Sequence, residues 1–195
     1  MNYTDVLRPE KSVSSLVENL VLVLGCSWII ALSAQYSILV PFSPVPITGQ
    51  TLVVLLAGLA LGKKRAAGAV GLYLLQGIAG LPFFAGGKSG LATLIGPTGG
   101  YLIGFLAAAY TVGMLSELRH KQQPWQATLT LLIGNILIYF FGLVWLARYV
   151  GEAQVLQLGL YPFLIGDVIK LILGMAIIWG SSTFFKPAPG SADHS

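Results

Sequence analysis

Charge is what this sequence has least of. Only 9% of its 195 residues are Asp, Glu, Lys or Arg, whereas a soluble domain carries roughly a quarter, so the chain lacks the polar surface needed to cover a fold in water. A single cysteine, Cys26, excludes an internal disulfide and a cysteine-based metal site. It lies inside an apolar run and reads as a small packing residue. The two histidines, His120 and His194, fall in a basic loop and in the polar tail without ligand spacing. No metal and no bound cofactor is expected of this chain. The net charge of +4 bears on membrane topology, and no nucleic-acid partner is expected.

Apolar residues are what the sequence has in excess: 55% of the chain is hydrophobic, with a mean hydropathy of +0.80. They gather in segments at 16–40, 47–62, 66–80, 99–118, 127–147 and 161–185, most of them near the roughly 20 residues that cross a bilayer. The expected fold is an all-α integral membrane protein of six transmembrane helices. A single domain spans 16–185, between a polar N-terminus (1–15) and a polar tail (186–195). The second and third segments are short and glycine-rich, which suits tilted or broken helices covered by neighbours.

The basic residues fix an orientation. On a six-helix path Arg8, Lys11, Lys63, Lys64, Arg65, Arg119, Lys121 and Lys186 share one side, and Lys88 and Arg148 lie on the other. The positive-inside rule then makes both termini cytoplasmic. A cleaved signal peptide ending near ALSAQ (31–35) is a competing reading of the first run. The run continues through Tyr36 to Val40, however, and its removal would put the basic loops on the wrong side.

Given this orientation, the polar residues within the spans cluster toward the outside. Gln35 ends helix 1, Gln50 starts helix 2, Tyr73 and Gln76 occupy the outer half of helix 3, and Asp167 lies about 9 Å into helix 6 at ~1.5 Å per residue. Asp167 and Lys170 are three residues apart, share a helix face and can neutralise each other. Ionisable residues at such depth usually mark function. A carboxylate beside an ammonium suits a small ligand with an amide-like end or an acid. The bland alternative is a structural ion pair. Asn135, deeper in helix 5, reads as a bridge between helices.

Two irregular segments would cover this site. PFSPVPITGQT (41–51) holds Pro41, Pro44 and Pro46, and GLPFFAGGKSGLATLIGPTGGY (80–101) is punctuated by glycines and by Pro82 and Pro97. Neither reads as ordinary helix, and backbone of this kind near a membrane lines a cavity or forms a lid. Small residues four apart, at Gly58 and Gly62, Ala67 and Gly71, Gly100 and Gly104, and Ser27 and Ala31, mark faces where helices can approach closely.

Four blocks together carry a resemblance: PVPITGQTLVVLLAGLALG (44–62), GLPFFAGGKSG (80–90), GPTGGYLIGF (96–105) and GDVIKL (166–171). In this order they resemble the BioY family, the biotin-specific substrate-binding components of energy-coupling-factor vitamin transporters. The resemblance implies a six-helix S component in the plasma membrane that captures biotin on its outer face and has no ATPase of its own. Its partners would be a transmembrane coupling subunit and two ATP-binding cassette ATPases, which use ATP to reorient the S component and release the vitamin inside.

By the same resemblance Asp167 and Lys170 match the helix 6 ligand pair, and the two loops match the substrate gates. Gln50, Tyr73, Phe83 and Phe84 are further candidate binding residues, with the aromatic rings packing on the apolar bicycle of biotin; the amide of Gln50 and the phenol of Tyr73 equally suit a hydrogen bond to a neighbouring helix. Lys170 holding the carboxylate while Asp167 accepts from ring N–H groups is one division of labour, and the reverse is another. Family members commonly carry an Ala-x-x-x-Ala surface on helix 1 for the coupling subunit, to which Ser27 and Ala31 are the nearest match. Rival readings are an S component for another vitamin, a structural or channel subunit, and an intramembrane enzyme. The sequence contains no HExxH, no GxSxG and no nucleophile paired with Asp167 to support the last.

Overall fold

The computed structural model of the protein describes residues 13–118 and 124–184, with side chains over 16–118 and 125–176. Arg8, Lys11, Arg119, His120, Lys121, Lys186 and His194 lie outside the described residues, as do most of the expected polar N-terminus and the whole C-terminal tail. The long helices are α1 (Val13–Gln35), α2 (Gln50–Ile78), α4 (Gly99–Glu117), α5 (Pro124–Val150) and α7 (Tyr161–Phe184); α3 (Leu91–Ile95) and α6 (Val155–Gly159) are short turns between them. Among the described residues, four helical stretches are long and apolar enough to cross a membrane, at Leu16–Gln35, Gly99–Glu117, Trp125–Val150 and Val155–Ala176.

The 29 residues of α2 are not one rod. Gly62 interrupts the helix with φ 74° and ψ 173°, a conformation that only glycine adopts without strain. The side-chain amide of Gln50 donates to the hydroxyl of Tyr73 across 2.7 Å, although 23 residues of straight helix would hold them about 35 Å apart. The chain therefore reverses at Gly62, and the two arms, 50–61 and 63–78, are the second and third of six long helical segments.

The end of α4 caps that reversal. Ser116 Oγ donates to the Leu59 carbonyl at 3.0 Å, one of the acceptors left open where the first arm ends. The backbone N–H of Lys63, opening the second arm, donates to Glu117 Oε1 at 2.9 Å. Both groups would be orphans at helix ends without such partners. The Lys63 ammonium adds an ion pair to Glu117 Oε2 at 3.0 Å.

Close packing at small residues joins α2, α4 and α5. An added Cβ at Gly58 would meet Val112 at 2.8 Å, and one at Gly104 would meet the Ile138 backbone at 3.0 Å, so these helices touch almost backbone to backbone. The Ala67 and Gly71 step behaves differently, with open space around Gly71. In α7 the residues Phe163, Asp167, Lys170 and Gly174 turn toward the bundle, while Leu164, Ile165, Val168, Ile169, Ile172 and Leu173 are exposed. Spacings of three and four put each set on one helical face. The exposed set suits contact with lipid.

Helix 1 is shorter than the apolar run that encodes it. It ends at Gln35, and Ser37–Ile38 then pairs antiparallel with Ile47–Thr48. Val40 is followed by Pro41, which disfavours helix in the residue before it, and the strand pair closes the proline-rich loop instead. The two expected loops also contain more helix than their composition suggests. Gln50 and Thr51 already belong to α2, Leu91–Ile95 forms α3, and 99–101 open α4.

Candidate ligand-binding site

At the end of the bundle opposite Gly62, the connections 36–49 and 79–98 meet over one cavity of about 700 Å³, part of it open to solvent. Phe84, Phe105, Phe163 and Ile138 supply apolar wall; Gln50, Thr51, Tyr101 and Tyr139 supply polar groups; Asp167, Lys170 and Lys88 supply charge.

Asp167 is 5% exposed, yet its carboxylate is well partnered. Oδ1 accepts from the Lys170 ammonium at 3.1 Å. Oδ2 accepts from the Asn135 amide at 3.3 Å and from the Tyr139 hydroxyl. Lys170 also donates to Thr51 Oγ1 at 2.9 Å. Three elements, α2, α5 and α7, thus meet at one ion pair, which offsets the large cost of burying either charge alone. The inventory of the pair leaves capacity. A carboxylate has about four lone-pair sites and an ammonium three donors; the contacts above occupy three and two.

Of the residues expected from sequence, Asp167, Lys170, Gln50 and Phe84 line the cavity. Tyr73 does not. It is fully buried behind Gln50, whose amide it accepts, and packs edge-on against Phe84. Phe83 also points away from the cavity and makes an edge contact with Trp28 of α1, ring centroids 5.6 Å apart. Adjacent residues in an extended segment face opposite ways, so only one of the two phenylalanines can enter.

Ser27 and Ala31, expected to face a coupling subunit, are instead 0% and 4% exposed. Ser27 Oγ is within 3.3 Å of Gln76 Oε1 in the second arm of α2 and donates to the Leu24 carbonyl at 2.8 Å. This small-residue face is used for packing inside the bundle.

Asn135 makes the interhelical bond its depth implied. The residues that sequence reading passed over are Tyr139, Thr51, Tyr101 and Lys88. Tyr139 follows Asn135 by four, so a shared face of α5 was the available signal. Thr51 and Tyr101 carry none, since both fall within segments whose proline and glycine content reads as loop.

The lid over the cavity is tied down at both ends. Gln35 Nε2 donates to the carbonyls of Pro82 at 3.1 Å and Phe83 at 3.4 Å. Trp145 Nε1 donates to the Gly96 carbonyl at 3.0 Å, and the Tyr149 hydroxyl to that of Ile95. The proline-rich loop is held by Ser43 Oγ, which donates to the Leu158 carbonyl at 2.6 Å.

Comparison with known proteins agrees with this architecture. The sequence profile of the BioY family matches residues 7–186. The chain is 38% identical over 148 residues to a probable biotin transporter BioY of Pyrococcus horikoshii, covering 75% of this chain and 85% of that protein. To the biotin transporter BioY of Thermotoga maritima it is 39% identical over 139 residues, covering 71% and 81%. Among solved structures it resembles the S-component for biotin from an ECF-type ABC transporter, with a TM-score of 0.79, 29% identity, and coverage of 88% of this chain and 94% of that one.

Proposed function

Because this chain belongs to the BioY family, we propose that it is the biotin-capturing S component of an energy-coupling-factor transporter. The observation that carries the reading is the floor of the cavity. Asp167 Oδ1 and the Lys170 ammonium lie 3.1 Å apart, with one acceptor site and one N–H donor between them still unfilled. A ureido group presents N–H and C=O side by side and complements that pair without adding a buried charge. The apolar bicycle of biotin then packs on Phe84, Phe105 and Phe163.

The basic residues at the Gly62 end support an orientation with that end and both termini in the cytoplasm. The cavity then opens outward from the plasma membrane. The transmembrane domain spans 16–185, with the two polar ends outside the bilayer. The chain supplies no ATPase; energy comes from two ATP-binding cassette subunits acting through a coupling subunit. That subunit meets a surface other than the Ser27 and Ala31 step, which is filled by the protein's own packing.

Equilibrium binding of biotin to the purified, detergent-solubilised chain, with thiamin and riboflavin as competitors, tests the proposal. Tight binding that neither competitor displaces is expected. No biotin binding, or displacement by another vitamin at equal concentration, would transfer the chain to a sister S component.

A further inference from the structure

The two segments that cover the cavity are fastened to the same place, the last turn of α1. The proline-rich loop leaves α1 directly after Gln35 and is closed by the pairing of Ser37–Ile38 with Ile47–Thr48. Where it rejoins the bundle, a Cβ added to Gly49 would lie 3.5 Å from the Ser33 carbonyl oxygen, so both ends of the loop stand on this turn. The glycine-rich lid is distant in sequence yet reaches the turn as well, through the Gln35 amide at the carbonyls of Pro82 and Phe83. Two turns further down α1, Trp28 takes the ring of Phe83 edge-on.

The stretch that Gln35 holds is stiff and leads straight into the cavity. Pro82 has its φ fixed by the ring, and the Phe83 N–H closes a tight turn on the Leu81 carbonyl at 2.7 Å. Phe84 follows, seated against Gly77 and lining the cavity. The Gln35 amide is itself braced, since Nε2 also donates to the Ala31 carbonyl one turn back at 3.2 Å. A displacement of the end of α1 is therefore passed to the lid, and a displacement of the lid to the end of α1. Helix ends open at the lowest cost in a fold, so this turn can follow either segment.

We infer that Gln35 is a positioning residue that joins the proline-rich loop and the glycine-rich lid into a single gate, so that the two open together. Ser43, whose hydroxyl donates to the Leu158 carbonyl, holds the far side of the loop; once that tie is broken, the strand pair tilts on the last turn of α1 and Gln35 carries Pro82 and Phe83 with it. The consequence for exchange of the ligand rests on the reading of the cavity as a biotin site, whereas the joining of the two segments does not.

The test is a labelling cycle on the purified full chain, without ligand, in a Cys26→Ser background. Ala85→Cys, on the cavity wall of the lid, reports lid opening through its rate of reaction with a maleimide, and Ser43→Ala releases the proline-rich loop alone. With Gln35 in place, Ser43→Ala is expected to raise the rate at position 85 by about twofold to tenfold, the range of one neutral hydrogen bond. In Gln35→Leu the rate should already be raised, and Ser43→Ala should add nothing to it. Gln35→Glu keeps the shape of the side chain but, when ionised, can only accept hydrogen bonds, and it should match Gln35→Leu. Biotin dissociation from Gln35→Leu should accelerate by a similar factor. Four results overturn the inference and leave the biotin reading standing: no response at position 85 to Ser43→Ala while Gln35 is present, the same response after Gln35→Leu, wild-type behaviour of Gln35→Glu, which would mean that shape alone joins the segments, or an unchanged biotin off-rate in Gln35→Leu. A wild-type chain that binds no biotin overturns the biotin reading, and the labelling cycle still decides whether the segments open together.

Discussion

The ring of Phe84 occupies the space that a side chain on Gly77 would need: an added Cβ there would fall against the ring edge, with Cε2 at 2.8 Å. This pairing of the smallest residue with a large aromatic one seats the lid on the end of α2. Gly77→Ala is expected to lift Phe84 and loosen the lid, and biotin dissociation should accelerate. Phe84→Ala should go further, with a loss of stability of about 3–5 kcal/mol, typical of emptying a packed aromatic site. Thermal unfolding in detergent and ligand off-rates would separate the two effects. An off-rate unchanged in both variants would mean that the lid does not gate the site.

Removing one member of the floor pair strands the other. Asp167→Asn leaves the Lys170 ammonium without its counter-charge, and about 3–5 kcal/mol of stability should be lost. In the double variant Asp167→Asn with Lys170→Met, stability should recover substantially while biotin affinity does not. Binding that returns along with stability would show the pair to be only structural.

Tyr139→Phe deletes one donor to Asp167 Oδ2 and keeps the ring. Hydrogen bonds to charged groups contribute about 1.5–3 kcal/mol, so an affinity loss of roughly tenfold or more is expected with the fold intact. Titration calorimetry on the purified variant would measure it. Wild-type affinity would place the hydroxyl outside the functional network.

At the reversal of α2, Gly62→Ala forces a residue with a side chain into φ 74°, and about 1–3 kcal/mol of strain is expected. The lowered unfolding temperature should appear without a change in ligand selectivity, because Gly62 lies at the end of the bundle away from the cavity. A selectivity change would mean that the reversal communicates with the site.

The proposed orientation can be read by labelling. In a Cys26→Ser background, Ser89→Cys on the lid should react with an impermeant maleimide in intact cells, whereas Lys64→Cys should react only after the cells are opened. Both positions are exposed in the fold. The opposite pattern would invert the topology.

By itself the sequence determined that the chain is a helical membrane protein, how its spans are divided, and that Asp167 and Lys170 face inward. Hydropathy and charge act along the chain, and a three-residue spacing on a helix places two side chains on one face wherever the helix sits. Even the reversal between the second and third helical segments was legible, since glycine and the basic run Lys63 to Arg65 mark it.

Tertiary structure alone decided which aromatic residue enters the cavity, which small-residue step is buried within the bundle, and what completes the floor. Phe83 and Phe84 are equivalent in composition, and only the seat against Gly77 selects Phe84. Ser27 and Ala31 have the spacing of a docking face, but the same spacing serves packing within the bundle, and the position of α2 buries both. Thr51 and Lys170 are 119 residues apart, and no local pattern along a chain reports a contact of that range. Such contacts exist because buried polar groups must find partners in three dimensions, and the fold determines which partners are within reach.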